Sequence, residues 1–161
     1  MPNRESIEKG GIYMIVMAID PGTTQSAFVK WDDEKKLIIN KGIINNYDML
    51  SRIKSELYDT LVIEMIASYG MSVGQTVFDT CVWIGRFIEA SPNKHSLVYR
   101  REEKMFLCGS MKAKDANIRQ ALIDMFGKEK TKGCSKDIWA ALAVAVTFSA
   151  KRTEPTEGSA C

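Results

Sequence analysis

Three carboxylates stand where the pattern of the chain makes a carboxylate awkward. Asp20 follows the apolar run Ile15-Val-Met-Ala-Ile19, and Glu64 follows Thr60-Leu-Val-Ile63. Asp137 falls in the first turn of an apolar, Ala-rich segment from Lys136 to Ser149. A glutamate closing a buried strand is costly to bury without a purpose. Three carboxylates that converge repel one another, and something cationic must hold them ionised. Hard oxygen donors of this kind suit Mg²⁺ or Mn²⁺. Such an ion activates a water and steadies the leaving oxygen of a phosphodiester, so the chemistry on offer is metal-dependent hydrolysis. Taken singly, Asp20 also reads as a turn residue bonded to its own backbone. Asp137 alone also reads as a helix-start residue complementing the dipole. Their joint placement is what favours a site.

That placement depends on the elements that carry the acids. Ile12 to Ile19 reads as a strand covered on both faces. Ser26 to Trp31 and Leu37 to Ile44 follow with short links, which predicts an antiparallel meander. Asn45 or Asn46 caps a helix running to about Tyr58, with Met49, Leu50, Ile53 and Leu57 inward. Thr60 to Glu64 is a fourth strand. Ser72 to Ala90 reads as a long helix with Val73, Val77, Cys81, Ile84 and Ile88 at helical spacing, and Leu97 to Tyr99 as a fifth strand. With Phe78, Trp83 and Phe87 added, that helix is apolar over more than one face, part for the core and part for a second copy. A further helix starts near Asp115, itself read as an N-cap, and ends at Gly127. Lys136 to Ser149 forms the last. The order predicts an α/β fold, a mixed five-stranded sheet flanked by helices. With the first and fourth strands as parallel neighbours, Asp20 and Glu64 emerge at one sheet end, and a helix packed across it brings Asp137 to meet them.

The 161 residues, 45% hydrophobic and 26% charged, are those of one globular domain, expected over 12–150. Residues 1–11 read as a disordered leader and 151–161 as a disordered tail. No apolar run approaches the ~20 residues of a membrane span, so no membrane partner is expected. Cys81, Cys108, Cys134 and Cys161 are scattered, with no CxxC pair for zinc, and a reducing cytoplasm is the expected compartment.

The net charge of +2 hides a segregation: Lys94 to Lys136 carries eleven Lys/Arg against five Asp/Glu. A basic half is the usual sign of a polyanionic partner. Lys112, Lys114, Arg119, Lys128, Lys130, Lys132 and Lys136 are the candidates to bind it, clustered around the acids. Residues 67–78, directly after Glu64, hold two glycines, Tyr69 and Met71. They read equally as a flexible, aromatic-bearing wedge into a nucleic-acid partner and as a plain helix entry. His95, the single histidine, is expected to be exposed in a polar turn.

Four segments, Ala18-Ile-Asp-Pro-Gly-Thr23, Val62-Ile-Glu64, Lys104-Met-Phe-Leu-Cys-Gly109 and Asp137-Ile-Trp-Ala-Ala-Leu-Ala-Val-Ala145, resemble in order and spacing the RuvC-type crossover-junction endonucleases. Through Phe78-Asp-Thr-Cys-Val-Trp-Ile-Gly-Arg-Phe87 and Lys114-Asp-Ala-Asn-Ile-Arg-Gln-Ala-Leu122 the resemblance is to the phage-borne branch. It implies an RNase H-like fold and a homodimer that cuts four-way (Holliday) DNA junctions with Mg²⁺, for which Mn²⁺ substitutes. It implies a bacterial or phage-infected cytoplasm. Asp20, Glu64 and Asp137 become the metal ligands, and Lys104 matches a lysine close to the scissile phosphate. Two positions depart. Ala140 stands where the family often repeats an acid, and Asp115 stands where it has a second lysine, with Lys114 one place early. Asp115 is a conceivable substitute ligand.

Two other readings compete. Asp20-Pro-Gly-Thr-Thr24 also looks like the phosphate loop of actin-like ATPases and sugar kinases. Those folds need two lobes, 161 residues make one, and no second Asp-x-Gly turn follows. A junction-binding protein without cleavage is the other, and Ala140 makes it less remote. Within the nuclease reading, a flap, a single base-paired arm or an RNA–DNA hybrid are further substrates.

Overall fold

The computed structural model describes residues 14–153. Five strands, β1 (Ile15–Asp20), β2 (Gln25–Asp32), β3 (Leu37–Asn45), β4 (Thr60–Met65) and β5 (Lys94–Tyr99), form one sheet in the order β3-β2-β1-β4-β5. β1, β2 and β3 make the expected antiparallel meander, and β4 and β5 add parallel to β1. The helices are α1 (Asn46–Ser55), α2 (Gln75–Ala90), α3 (Arg100–Cys108), α4 (Asp115–Lys130) and α5 (Lys136–Thr153). Ile12, the expected start of β1, and Cys161 lie outside the described residues, as do 1–11 and 154–161 of the expected leader and tail.

Period-two alternation along the strands sorts the core into two layers. Val16, Ala18, Val29, Trp31 and Val62 pack beneath α4 and α5. Met17, Ile19, Phe28, Leu61 and Ile63 pack against α1 and α2. Ala141 to Ala145 of α5 are wholly buried, and the small alanines let this helix lie close on β1 and β2. Burying Leu142 alone contributes about 1.5–3 kcal/mol.

Several boundaries differ from expectation, each for a local reason. Asn45 is the N-cap of α1, accepting from the Asp48 N–H at 2.9 Å. α1 closes at Ser55, so Leu57 is exposed rather than core. α2 starts at Gln75 and buries Thr80, Ile84 and Phe87, a stripe turned away from the expected Val73, Val77 and Cys81. Thr80 is accepted inside because its hydroxyl donates to the Thr76 carbonyl at 2.8 Å. Phe78 and Val82 are left 55% and 62% exposed.

At the start of α4 the cap is Lys114, not Asp115: the Asn117 side chain accepts the Lys114 N–H at 2.9 Å. Gly127, at φ +83°, ends the regular part of α4 as expected, and one more turn follows. α5 continues past Ser149, and so includes Lys151 and Arg152 of the expected tail. Arg152 pairs with the buried Asp33 at 3.0 Å, and Lys151 pairs with Glu102 of α3. Among the described residues no helix is long and apolar enough to cross a membrane.

Candidate active site

The alternation that sorts the core also aims the acids. Val16, Ala18 and Asp20 share the α5 side of β1, as Val62 and Glu64 share that side of β4. The parallel register pairs Ala18 with Val62, which carries Asp20 alongside Glu64 at the strand ends. Asp137, second residue of α5, arrives from above. All three line one cavity of about 520 Å³, together with Arg100, Asp115, Arg119, Lys136 and Ala140. A smaller cavity of about 220 Å³ adjoins it on the side of Pro21 and Tyr69, and Asp20, Glu64 and Arg100 line both.

The electrostatics are strained. Burial, then the charges of Glu64 and Asp137, push Asp20 up to about 7 against the opposing pull of Arg100. Burial also raises Glu64, opposed by Arg100 and reinforced by Asp115. Glu103, fully buried on α3, is pushed up to about 9, first by burial and then by Glu64. Its Oε1 takes a contact from Arg100 at 3.3 Å, and its Oε2 has no hydrogen-bond partner. Arg100 itself is raised: burial works against its charge, but Glu103, Glu64 and Asp115 outweigh it. Asp115 bonds the Arg100 guanidinium. Among the described residues no three Asp, Glu, His or Cys side chains converge closely enough for a ready-made metal site.

On the other side of β1 the turn is held by neutral groups. The Gly22 N–H donates to Ser26 Oγ at 3.1 Å, and that hydroxyl donates to Asn46 Oδ1 at 2.6 Å. Asn46, wholly buried, returns its amide to the Gly22 carbonyl at 2.8 Å. A Cβ at Gly22 would meet the Gln25 carbonyl oxygen at 2.3 Å, so only glycine fits. This network fixes where β1 ends, and therefore where Asp20 stands.

The expected basic cluster is looser than the sequence suggests. Arg119 and Lys136 reach the cavity wall. Lys112, Lys114, Lys128, Lys130 and Lys132 are exposed on the surrounding loops and on α4, off that wall. Lys104 is half-buried one turn beyond Arg100 on α3, and it too is off the wall. Tyr69, 58% exposed, lines the smaller cavity. His95 is exposed as expected, but it stands in β5 opposite Leu61 rather than in a turn, because the strand starts at Lys94. Arg100, Glu103 and Asn46 went unremarked as site residues. The signal for the first two was a run of charges, Arg-Arg-Glu-Glu-Lys, directly after a strand on the acid-bearing sheet.

No family model matches the chain, and no curated protein sequence does. Solved structures match in shape. The structure of Thermus thermophilus RuvC superimposes with a TM-score of 0.68 at 15% identity, covering 86% of this chain and 96% of that one. T. thermophilus RuvC in complex with Holliday junction substrate gives 0.68 and 15%, covering 87% and 96%. The mixed five-stranded sheet flanked by helices is therefore RNase H-like, with the fold of RuvC.

Proposed function

We propose that the protein is a metal-dependent endonuclease that cuts four-way and related branched DNA. The observation that carries the reading is the meeting of Asp20, Glu64 and Asp137, far apart in the chain, on one cavity wall with Arg119 and Lys136. The donor set fits Mg²⁺, with Mn²⁺ as substitute: it is all carboxylate, partly buried and mutually repelling. Rotation of the three side chains toward one another would complete the ligation. When bound, such an ion activates water and steadies a leaving oxygen.

The chain's own groups supply the rest. Asp20 gives up a proton as a cation arrives. Arg119 and Lys136 take the phosphates nearest the acids, and Lys104, on the Arg100 side of α3, approaches the scissile phosphate with DNA in place. Lys112, Lys114, Lys128, Lys130 and Lys132 follow the arms by charge. Tyr69 meets the branch point.

A homodimer puts two such sites on the two halves of a junction, and the exposed pair Phe78 and Val82 on α2 supports a contact between copies. The phage-borne branch and a bacterial or phage-infected cytoplasm rest on the sequence motifs. A second reading, junction binding without cleavage, is favoured by Ala140 on the cavity wall, where a fourth acid would stand. The phosphate-loop reading is weakened, since the Gly22 N–H, one donor of that turn, is taken by Ser26.

The test is cleavage of a mobile four-way junction, a fork and a plain duplex, in Mg²⁺ and in EDTA, with Glu64→Gln beside the wild type. Paired symmetric nicks that need metal and vanish in Glu64→Gln are the expected result. Tight junction binding without a cut in either Mg²⁺ or Mn²⁺ would select the second reading. The double reversal Lys112→Glu, Lys114→Glu should lower junction affinity about tenfold and the salt slope by about 2. Unchanged affinity at low salt would remove that patch.

A further inference from the structure

Arg100 stands where a cation is needed. Among the described residues it is the single basic one lining both cavities, and the two residues that share this position with it are Asp20 and Glu64. Five carboxyl groups, those of Asp20, Glu64, Glu103, Asp115 and Asp137, act on this place or line it. A guanidinium cannot shed its charge to make room for another cation, so the two compete for the same carboxylates. The geometry gives it two holds. Glu103 is a fully buried anchor on the same helix, whereas the Asp115 side chain is 79% exposed on the neighbouring α4.

Resting on the metal-dependent reading above, we propose that Arg100 is a built-in counter-ion of the acid cluster, against whose fixed charge a divalent cation must bind. In the metal-free protein the guanidinium limits the repulsion among Asp20, Glu64 and their neighbours. A doubly charged ion entering between the same carboxylates meets that positive charge at short range. Arg100, already held by Asp115 and Glu103, stays close to the incoming ion, and their repulsion lowers the affinity for metal. Arg100 is thus a positioning residue that sets how readily the site loads.

The experiment is Mn²⁺ binding to the full chain without DNA, read from the electron paramagnetic resonance of free Mn²⁺. Arg100→Gln should bind Mn²⁺ about tenfold more tightly than the wild type, and Arg100→Lys should restore weak binding. In EDTA, Arg100→Gln should melt lower than the wild type and recover when Mn²⁺ is added. Equal or weaker Mn²⁺ binding by Arg100→Gln overturns the proposal. The same question can be put to the unmodified protein: the Arg100 Nε–H resonance should shift on Mg²⁺ titration, and a stationary resonance overturns the proposal even where the variant fails to fold. Glu64→Gln separates the two levels. If it loses Mn²⁺ while Arg100→Gln matches the wild type, Arg100 alone is misassigned. If neither it nor the wild type binds Mn²⁺, the metal-dependent reading falls first.

Discussion

At the end of β1 the two sides of the sheet close in opposite ways. Toward α1, Gly22, Ser26 and Asn46 use their donors and acceptors on one another. Toward α5, Asp20, Glu64 and Glu103 crowd together more carboxyl groups than Arg100 balances, burial pushes all three up, and Glu103 Oε2 is left without a partner. Both sets are polar and buried or nearly so. A network that closes on itself serves the scaffold. Perturbed carboxylates lining a cavity mark a site. The same strand thus ends in a brace on one side and in unmet charge on the other.

The sharpest break of this contrast is Asp20→Asn. On the proposed function, junction cleavage should fall roughly a thousandfold, since several kcal/mol of metal-borne stabilisation is lost. The folded protein should meanwhile become more stable at pH 8. A variant that loses rate and melting temperature together would mean that Asp20 serves the scaffold after all. From the other side, Asn46→Ala strands the Gly22 carbonyl and the Ser26 hydroxyl in a buried place. Urea unfolding should show a loss of about 1–3 kcal/mol, and an unchanged midpoint would mean that the brace is dispensable.

The smallest effect is the pH slope of the metal-free protein. Burial and its acidic neighbours push Asp20 up to about 7 from an ordinary 3.8, so the folded chain holds the extra proton between those values. The stability this provides is complete below about pH 4 and is lost as pH rises through about 7. Thermal melts should therefore fall from pH 5 to pH 8. The advantage of Asp20→Asn, on the order of 1 kcal/mol at pH 8, should vanish by about pH 4. Parallel curves for the two proteins would place the strain elsewhere.

The strands and the three acids were legible because period-two runs that end on a carboxylate are a local pattern. α3 was not. Its one fully buried side chain is Glu103, so the inward position that a helical period would mark as apolar carries a charge instead. Arg100 went unremarked for the same reason, since its partners Glu103 and Asp115 come together only in the folded chain. The true end of α5 depends on Arg152 meeting Asp33 and Lys151 meeting Glu102, contacts no local window contains. Asn46 was legible as a cap candidate, but its reach back to Gly22 was not, because it follows from the pairing of β2 with β3. The fold was readable down to its strands. The candidate site was readable in its acids and hidden in its counter-charge.

Asp137 rides on α5, whose middle has no side free for water. The sheet can bring Asp20 and Glu64 together without help, but the third carboxylate appears only when this late segment docks, after a long loop has closed. On the proposed function, assembly of the chain and onset of chemistry are thereby one event. For the nuclease proposed, a half-folded copy is a harmless one, and a chain cut short before Lys136 would leave the genome around it untouched.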